Sequence, residues 1–186
     1  MTDAGADAGT DLGRRIAIVG TSGSGKTTVA RRLAAALDLP HVELDALFWR
    51  PDWRQAHLEE FRASVDAATG GDAWICDGNY SRARDIILPR AETVVWLDLP
   101  LRTCLWRVLR RTVARIRRRE HLWGTNRESW SGMVGGDSLI WWVLTTHRRR
   151  RREFEALFAA PAARHLRSVR LRSSREVEAW LVAVGA

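Results

Sequence analysis

Gly20-Thr21-Ser22-Gly23-Ser24-Gly25-Lys26-Thr27 fits the phosphate-binding pattern G-x-x-x-x-G-K-[ST] at every position. Glycines at this spacing let backbone N–H groups converge on phosphate oxygens, and the helix that follows adds a favourable field. Lys26 is the only lysine in the chain. Elsewhere positive charge is carried by arginine. A planar guanidinium cannot replace the compact ammonium that must slot between the β- and γ-phosphates of a nucleotide. Gly20, Ser22, Gly23, Ser24, Gly25, Lys26, Thr27 and Thr28 are therefore the expected nucleotide-binding positions, with Thr27 as a Mg²⁺ ligand. The expected nucleotide is ATP or GTP. A chance match in a Gly/Ser-rich loop is the plainer reading. The context opposes it, because an apolar strand precedes the loop and a helical pattern follows.

Elimination narrows the chemistry. With Lys26 as the only lysine, no N-K-x-D guanine-reading motif exists. Asp98 is followed by Leu99 and Pro100 rather than by a glutamate that would orient water. Phosphoryl transfer to a bound acceptor remains, in which positioning and positive charge do most of the work.

Other residues suit that task. Arg107 and Arg111 lie one helical turn apart, soon after Asp98, and could reach over the phosphates; Arg115 continues the stripe. A solvated helix face is the alternative. Asp45 could hold Mg²⁺-bound water or take the acceptor's proton, or it could cap the turn that follows. Asp77 in Asp77-Gly78-Asn79-Tyr80 poses the same choice, and its glycine suggests a tight turn at the ligand edge. Ten tryptophans stand against one tyrosine. Trp74, Trp96 and Trp106 read as core. Trp49 and Trp53 flank Pro51 just after Asp45, where an aromatic wall would hold a ring or sugar, or would simply pack under the loop. Trp123 and Trp130 lie in a glycine-bearing segment that could close over a ligand. The run Arg148 to Arg152 reads as a helix surface.

These groups need a scaffold that gathers them. Strands and helices alternate, which predicts a parallel sheet covered by helices. The strands are Ile16 to Val19, about His41 to Leu44, Ala73 to Cys76, Thr93 to Leu97 and about Ser168 to Leu171. Three deliver polar groups at their carboxyl ends: the phosphate loop, Asp77 and Asp98. That edge is where open α/β sheets bind ligands. Helices are predicted from Thr27 to Leu37, with Val29, Leu33 and Leu37 inward, and before Gly70-Gly71, with Leu58, Phe61 and Val65 inward. Pro100 opens a long helix burying Leu101, Leu105, Val108, Leu109, Thr112, Val113 and Ile116. Asp137 is the expected cap of the next helix, which carries Ile140, Val143, Leu144, Phe154 and Leu157 inward. Ser173-Ser174-Arg175-Glu176 is a capping box for the last.

The chain is long enough for one ordinary domain. Residues 1–13 read as a loose acidic tail without the features of a signal peptide, and residues 14–186 as the domain. No apolar run approaches the length needed to span a bilayer. Cys76 and Cys104 read as core thiols, and the five histidines show no ligand spacing. The expected location is the cytoplasm. A net charge of +8 raises nucleic acid as a partner; the competing explanation is a phosphate-handling enzyme biased toward arginine.

Four segments carry a resemblance to the adenylate-kinase-like branch of P-loop kinases. They are Gly20 to Thr28, Leu44-Asp45-Ala46-Leu47-Phe48-Trp49-Arg50-Pro51, Asp77-Gly78-Asn79-Tyr80, and Trp96-Leu97-Asp98-Leu99-Pro100 through Arg111. The chain resembles more closely the small bacterial proteins known as DNA topology modulation proteins or adenylate-kinase-related ATPases. The resemblance implies a three-layer α/β/α sandwich with a five-stranded parallel sheet in order 2-3-1-4-5, and a lid over about 117–136. It implies that Asp77 helps hold hydrated Mg²⁺ and that Arg107 and Arg111 serve adenine and phosphates. Asp45 falls where shikimate- and gluconate-type kinases place the aspartate that meets the acceptor hydroxyl. Ser173 to Arg175 falls where the fold cradles adenine. Asn79-Tyr80 departs from the adenylate-kinase turn, so an arginine that grips a nucleoside monophosphate is missing there.

The expected protein is thus an ATP- and Mg²⁺-dependent phosphotransferase. Its catalytic residues would be Lys26, Asp45, Arg107 and Arg111. Asp45, Trp49, Trp53, Asn79 and Tyr80 would face a small-molecule acceptor. A small hydroxylated or phosphorylated metabolite is the first candidate acceptor, and a nucleoside or nucleotide the second. The competing class is a nucleotide-gated protein whose surface at Arg117 to Arg119 and Arg148 to Arg152 holds nucleic acid.

Overall fold

Strand β1, Arg15–Gly20, is buried along almost its whole length, as a strand covered by helices on both faces must be. It pairs in parallel with β5, Trp74–Asp77, on one side and β6, Thr93–Leu97, on the other. Strand β2, His41–Glu43, lies outside β5, and β7, Arg167–Leu171, outside β6. The order β2-β5-β1-β6-β7 is the expected 2-3-1-4-5 when the five sheet strands are counted along the chain. The computed structural model describes residues 12–130, 132 and 138–186.

Side chains alternate across the sheet, so each strand feeds two cores. Ile16, Ile18, Ile75, Val95 and Leu97 pack on α1, Lys26–Leu37, and α7, Ser174–Ala183, through Val29, Leu33, Val177 and Leu181. Ala17, Val19, Trp74, Cys76, Val94 and Trp96 pack on α3, Leu58–Ala68, through Phe61 and Val65. Helix α6, Leu139–Ala159, gives Val143 to the first core and Phe154 to the second. The result is the three-layer sandwich.

Several local expectations need correction. Leu12 is buried at 4% exposure, and its carbonyl accepts from the Thr93 hydroxyl at 2.6 Å. Order therefore begins before residue 14; residues 1–11 of the expected tail lie outside the described residues. Strand β2 stops at Glu43, and Asp45 sits in a short helix α2, Leu44–Phe48. A small hairpin follows, β3 Trp49–Arg50 with β4 Arg54–Gln55. A further short helix, α4, spans Arg84–Ile87. Helix α5, Leu101–Arg118, runs through Arg117, so the expected lid starts later than 117. Its buried stripe is Cys104, Val108 and Thr112, while Leu109 and Trp106 are exposed at 47% and 58%. Trp106 is not core: the Arg110 guanidinium stacks 5.2 Å from its ring. Leu58 and Leu144 are also exposed. The cap of α6 is Ser138, whose hydroxyl accepts from the Trp141 N–H at 3.2 Å; Asp137 lies outside the described residues. Ser173 caps α7 by accepting from the Glu176 N–H at 3.1 Å, as the capping box predicts.

Asp98 does not serve the ligand edge. Its Oδ2 accepts from Arg170 Nε and Nη2 at 3.0 and 2.7 Å and pairs with Arg151 at 3.5 Å. Arg170 also lies 4.1 Å over the Trp96 ring. The carboxylate thus joins the end of β6 to β7 and α6. Replacing it leaves both guanidiniums, one of them half-buried, with Glu155 as their one remaining carboxylate and cuts the tie to the end of β6. Asp98→Ala is expected to lose about 2–3 kcal/mol of stability. Thermal unfolding should show a Tm lower by roughly 5–10 °C.

Candidate active site

The phosphate loop runs from Gly20 at the end of β1 to Lys26 at the start of α1. Gly23 has φ +82°, and a Cβ there would collide with the Cys104 carbonyl and Val108 of α5. Only glycine lets that helix lie so close over the loop. Lys26 Nζ donates to the carbonyls of Gly20 at 2.9 Å and Thr21 at 3.4 Å. Ser24 Oγ is buried without a partner. A buried polar atom with none is uncommon and calls for a ligand or water. Ser22 and Thr27 are half-buried and Thr28 is exposed. An unpartnered hydroxyl, a glycine cradle and a single ammonium together fit nucleotide phosphates.

The turn after β5 reaches three ways. Asp77 is buried, and its Oδ2 is 3.1 Å from His41 Nε2. Asn79 Oδ1 accepts from the Gly20 N–H at 3.0 Å, and its Nδ2 donates to the Gly20 carbonyl. Both halves of the amide are therefore spent on the phosphate loop, and Asn79 does not face an acceptor as expected. Tyr80 donates its hydroxyl proton to Asp45 Oδ1 at 2.5 Å. Its ring packs 4.6 Å from Phe48 and 5.1 Å from Phe61. Gly78, with φ +147°, makes the turn possible, since a Cβ there would run into Leu44 at 2.7 Å.

Asp45 accepts this bond rather than capping α2: the helix's N-cap is Glu43, and no side chain closes it. Burial lowers the pKa of the Lys26 amine, Asp45 and Asp77 oppose that shift, and Arg150 and Arg111 reinforce it. Those four groups therefore act on Lys26 through space. Arg111 is itself held below its ordinary pKa by burial and by Arg115. Burial drives the Tyr80 hydroxyl far above the phenolic range, helped by Asp45. It stays a proton donor at any working pH. Cys104 is pushed up to about 11, and Cys76 also upward, each first by burial, which makes both inert core thiols.

Arg107 joins the loop to the other end of the sheet. It donates to the Ser24 carbonyl at 2.9 Å and to Ser174 Oγ at 2.9 Å. Ser174, rather than Ser173 or Arg175, is thus the residue of that turn that meets the site. Ser173 is occupied as a cap, and Arg175 is exposed.

The segment after α5 folds onto the hairpin. Asn126, buried among the loops, accepts from the Trp53 N–H at 2.8 Å and donates to the Arg50 carbonyl at 3.0 Å. Trp53 donates its indole N–H to Arg127 O, and Trp123 donates its own to Glu43. Trp53 stands edge-on to Trp49 at 5.5 Å and to Trp123 at 6.1 Å. Arg115 pairs with Glu128 at 3.1 Å. Trp49 and Trp53 therefore form a wall with Trp123, while Trp130 is exposed.

Sequence reading missed His41, Asn126 and Arg150. Nothing in the pattern marks the first two. Arg150 was legible: Val143, His147 and Phe154 are buried on α6, and position 150 continues that spacing. Its Nε is buried without a partner, and its guanidinium stacks 5.4 Å from the Trp142 ring.

No family model matches the chain, and no curated protein matches it. Solved structures do. A gluconokinase from Sinorhizobium meliloti 1021 aligns over 94% of each chain at 18% identity with a TM-score of 0.51. Shikimate kinase from Bacteroides thetaiotaomicron aligns over 91% of this chain and 94% of its own, at 14% identity and a TM-score of 0.55. Shikimate kinase from Acinetobacter baumannii, in complex with shikimate, aligns over 95% and 93% at 18% identity and 0.51. The chain has the fold of the P-loop kinases. These matches do not carry the narrower likeness to the DNA topology modulation group.

Two outcomes follow from this geometry. An amine-reactive reagent should modify Lys26 at a lower pH than a free lysine, because its ammonium loses its proton earlier. Mg-ATP should protect it, as mass spectrometry of the single lysine would show. Asn79→Ala leaves Gly20 without two hydrogen bonds. Calorimetric titration should show ATP binding weakened about 10-fold or more.

Proposed function

We propose that this protein is an ATP- and Mg²⁺-dependent kinase that phosphorylates a hydroxyl of a small acceptor bearing an anionic group. The observation that carries this reading is the placing of Asp45: a carboxylate fixed by Tyr80, beside Lys26, at the mouth of a phosphate loop. Lys26 and the loop amides hold the β- and γ-phosphates. Arg107 and Arg111 complement the charge of the transferring group. Asp45 accepts the proton of the acceptor hydroxyl. Among the described residues no three His, Cys, Asp or Glu gather as a metal cage. That suits Mg²⁺, which is held by one or two protein groups together with phosphate oxygens and water. Thr27 and Asp77 are the residues that would hold it. Mg²⁺ would supply the neutralisation of phosphate charge.

Arg150 supports the anionic acceptor. Its guanidinium lies near Glu153, Arg149, Arg84, Tyr80 and Lys26, and its Nε lacks a partner. An arginine partly desolvated among other cations is well placed to receive a carboxylate or phosphate. The solved neighbours named for gluconate and shikimate make a polyhydroxylated carboxylic acid the first class to test. The nucleic-acid reading draws less support, because Arg149 and Arg151 are paired with Glu153 and Glu155 along α6.

ADP formation from Mg-ATP should be stimulated by a member of a panel of sugar acids, sugars, nucleosides and nucleoside monophosphates, and should be abolished in Lys26→Ala. A panel that gives only slow Lys26-dependent hydrolysis would overturn the kinase reading. Arg150→Met should raise the KM of an anionic acceptor about 10–100-fold. A neutral analogue of that acceptor should be affected far less.

A further inference from the structure

We infer that Tyr80 is a positioning residue that fixes the orientation of Asp45 for the acceptor; this rests on the kinase reading above. The hydroxyl of Tyr80 donates to Oδ1 of Asp45 at 2.5 Å, and among the described residues no other hydrogen bond to that carboxylate is made. One oxygen is thus tied and the other is left to meet a hydroxyl. A carboxylate on a freely rotating side chain would present either oxygen in several directions. A single short bond from a rigid donor removes that freedom.

The donor is rigid for a visible reason. Its ring packs on both Phe48 of α2 and Phe61 of α3, which also touch each other. Phe48 lies three residues after Asp45 on the same short helix. One ring therefore packs on the helix that carries the carboxylate while its hydroxyl binds the carboxylate itself. The preceding residue, Asn79, binds the Gly20 backbone. Adjacent residues of one turn thus fix the phosphate loop and the acceptor carboxylate relative to each other. The Asp45 carboxylate acts through space on the Lys26 and Arg111 cations. Neither makes a hydrogen bond to it among the described residues. The directional hold comes from Tyr80.

Tyr80→Phe keeps the ring and removes only the hydroxyl. The variant should fold and bind Mg-ATP as the parent does. With water or D-gluconate as the acceptor, its rate of Lys26-dependent ADP formation at saturation should fall about 10–100-fold, with the KM for ATP unchanged. Asp45→Asn should fall at least as far. The double variant should be no slower than Asp45→Asn, because Tyr80 acts only through that carboxylate. Since Tyr80 is the only tyrosine, a tyrosine labelled with ¹³C at Cζ gives one NMR resonance. It should shift in Asp45→Asn. Tyr80→Phe turning over at the parental rate, or slowing Asp45→Asn further, would overturn the positioning role and leave the kinase reading standing. Full turnover in Asp45→Asn would instead remove the carboxylate from the chemistry.

Discussion

The carboxamide of Asn79 on the backbone of Gly20 is the interaction through which the parts of the site depend on one another. Gly20 at the end of β1 takes side-chain partners on both its backbone groups, with Lys26 sharing the carbonyl, and a buried backbone group left alone is costly. An asparagine meets both with one side chain. That choice fixes where the turn after β5 must pass. Its neighbours then fall into place, Asp77 against His41 and Tyr80 against Asp45. The phosphate loop, His41 and the Asp45 carboxylate are all met from this one stretch of chain.

Charge is divided between the two halves of the sheet edge by what each carboxylate meets. Asp45 and Asp77 stand near Lys26. Asp98 is claimed by Arg170 and Arg151 on the far side. Arg107, Arg111 and Arg150 then remain around the loop, and the site holds more cationic than anionic side chains. A cleft with that imbalance draws polyanions and focuses them. The arginine bias of the chain suits it. A guanidinium can sit over an indole, as Arg170 does on Trp96 and Arg150 on Trp142.

Much of this was legible in the sequence. The three central strands show as apolar runs because a parallel sheet buries them on both faces, while the half-buried edge strands β2 and β7 show less plainly and the strand order was implied by the family resemblance. The phosphate loop is fixed by spacing. Less legible was α5, where Leu105, Leu109 and Val113 suggested a wide buried face. The helix lies over the phosphate loop, so the stripe against it is Cys104 and Val108, and part of the apolar remainder faces outward. Arg150 hid within a run that reads as surface, although its spacing from Val143 and Phe154 points inward. The hairpin at Trp49–Gln55 left no trace, because two-residue strands have no period to detect. Its place is set by Asn126, far along the chain, and such contacts are invisible to any local window.

The order of the sheet also governs how the molecule comes into being. Strand β1 is made first, yet its partners begin at Trp74 and Thr93. The bond between Gly20 and Asn79 spans 59 residues. Pairings this distant are slow to form and leave apolar strands uncovered meanwhile. On a ribosome the phosphate loop therefore emerges early but must wait for the chain through Leu97 before it can take shape. The segment with the plainest signature in the sequence is among the later ones to acquire its structure.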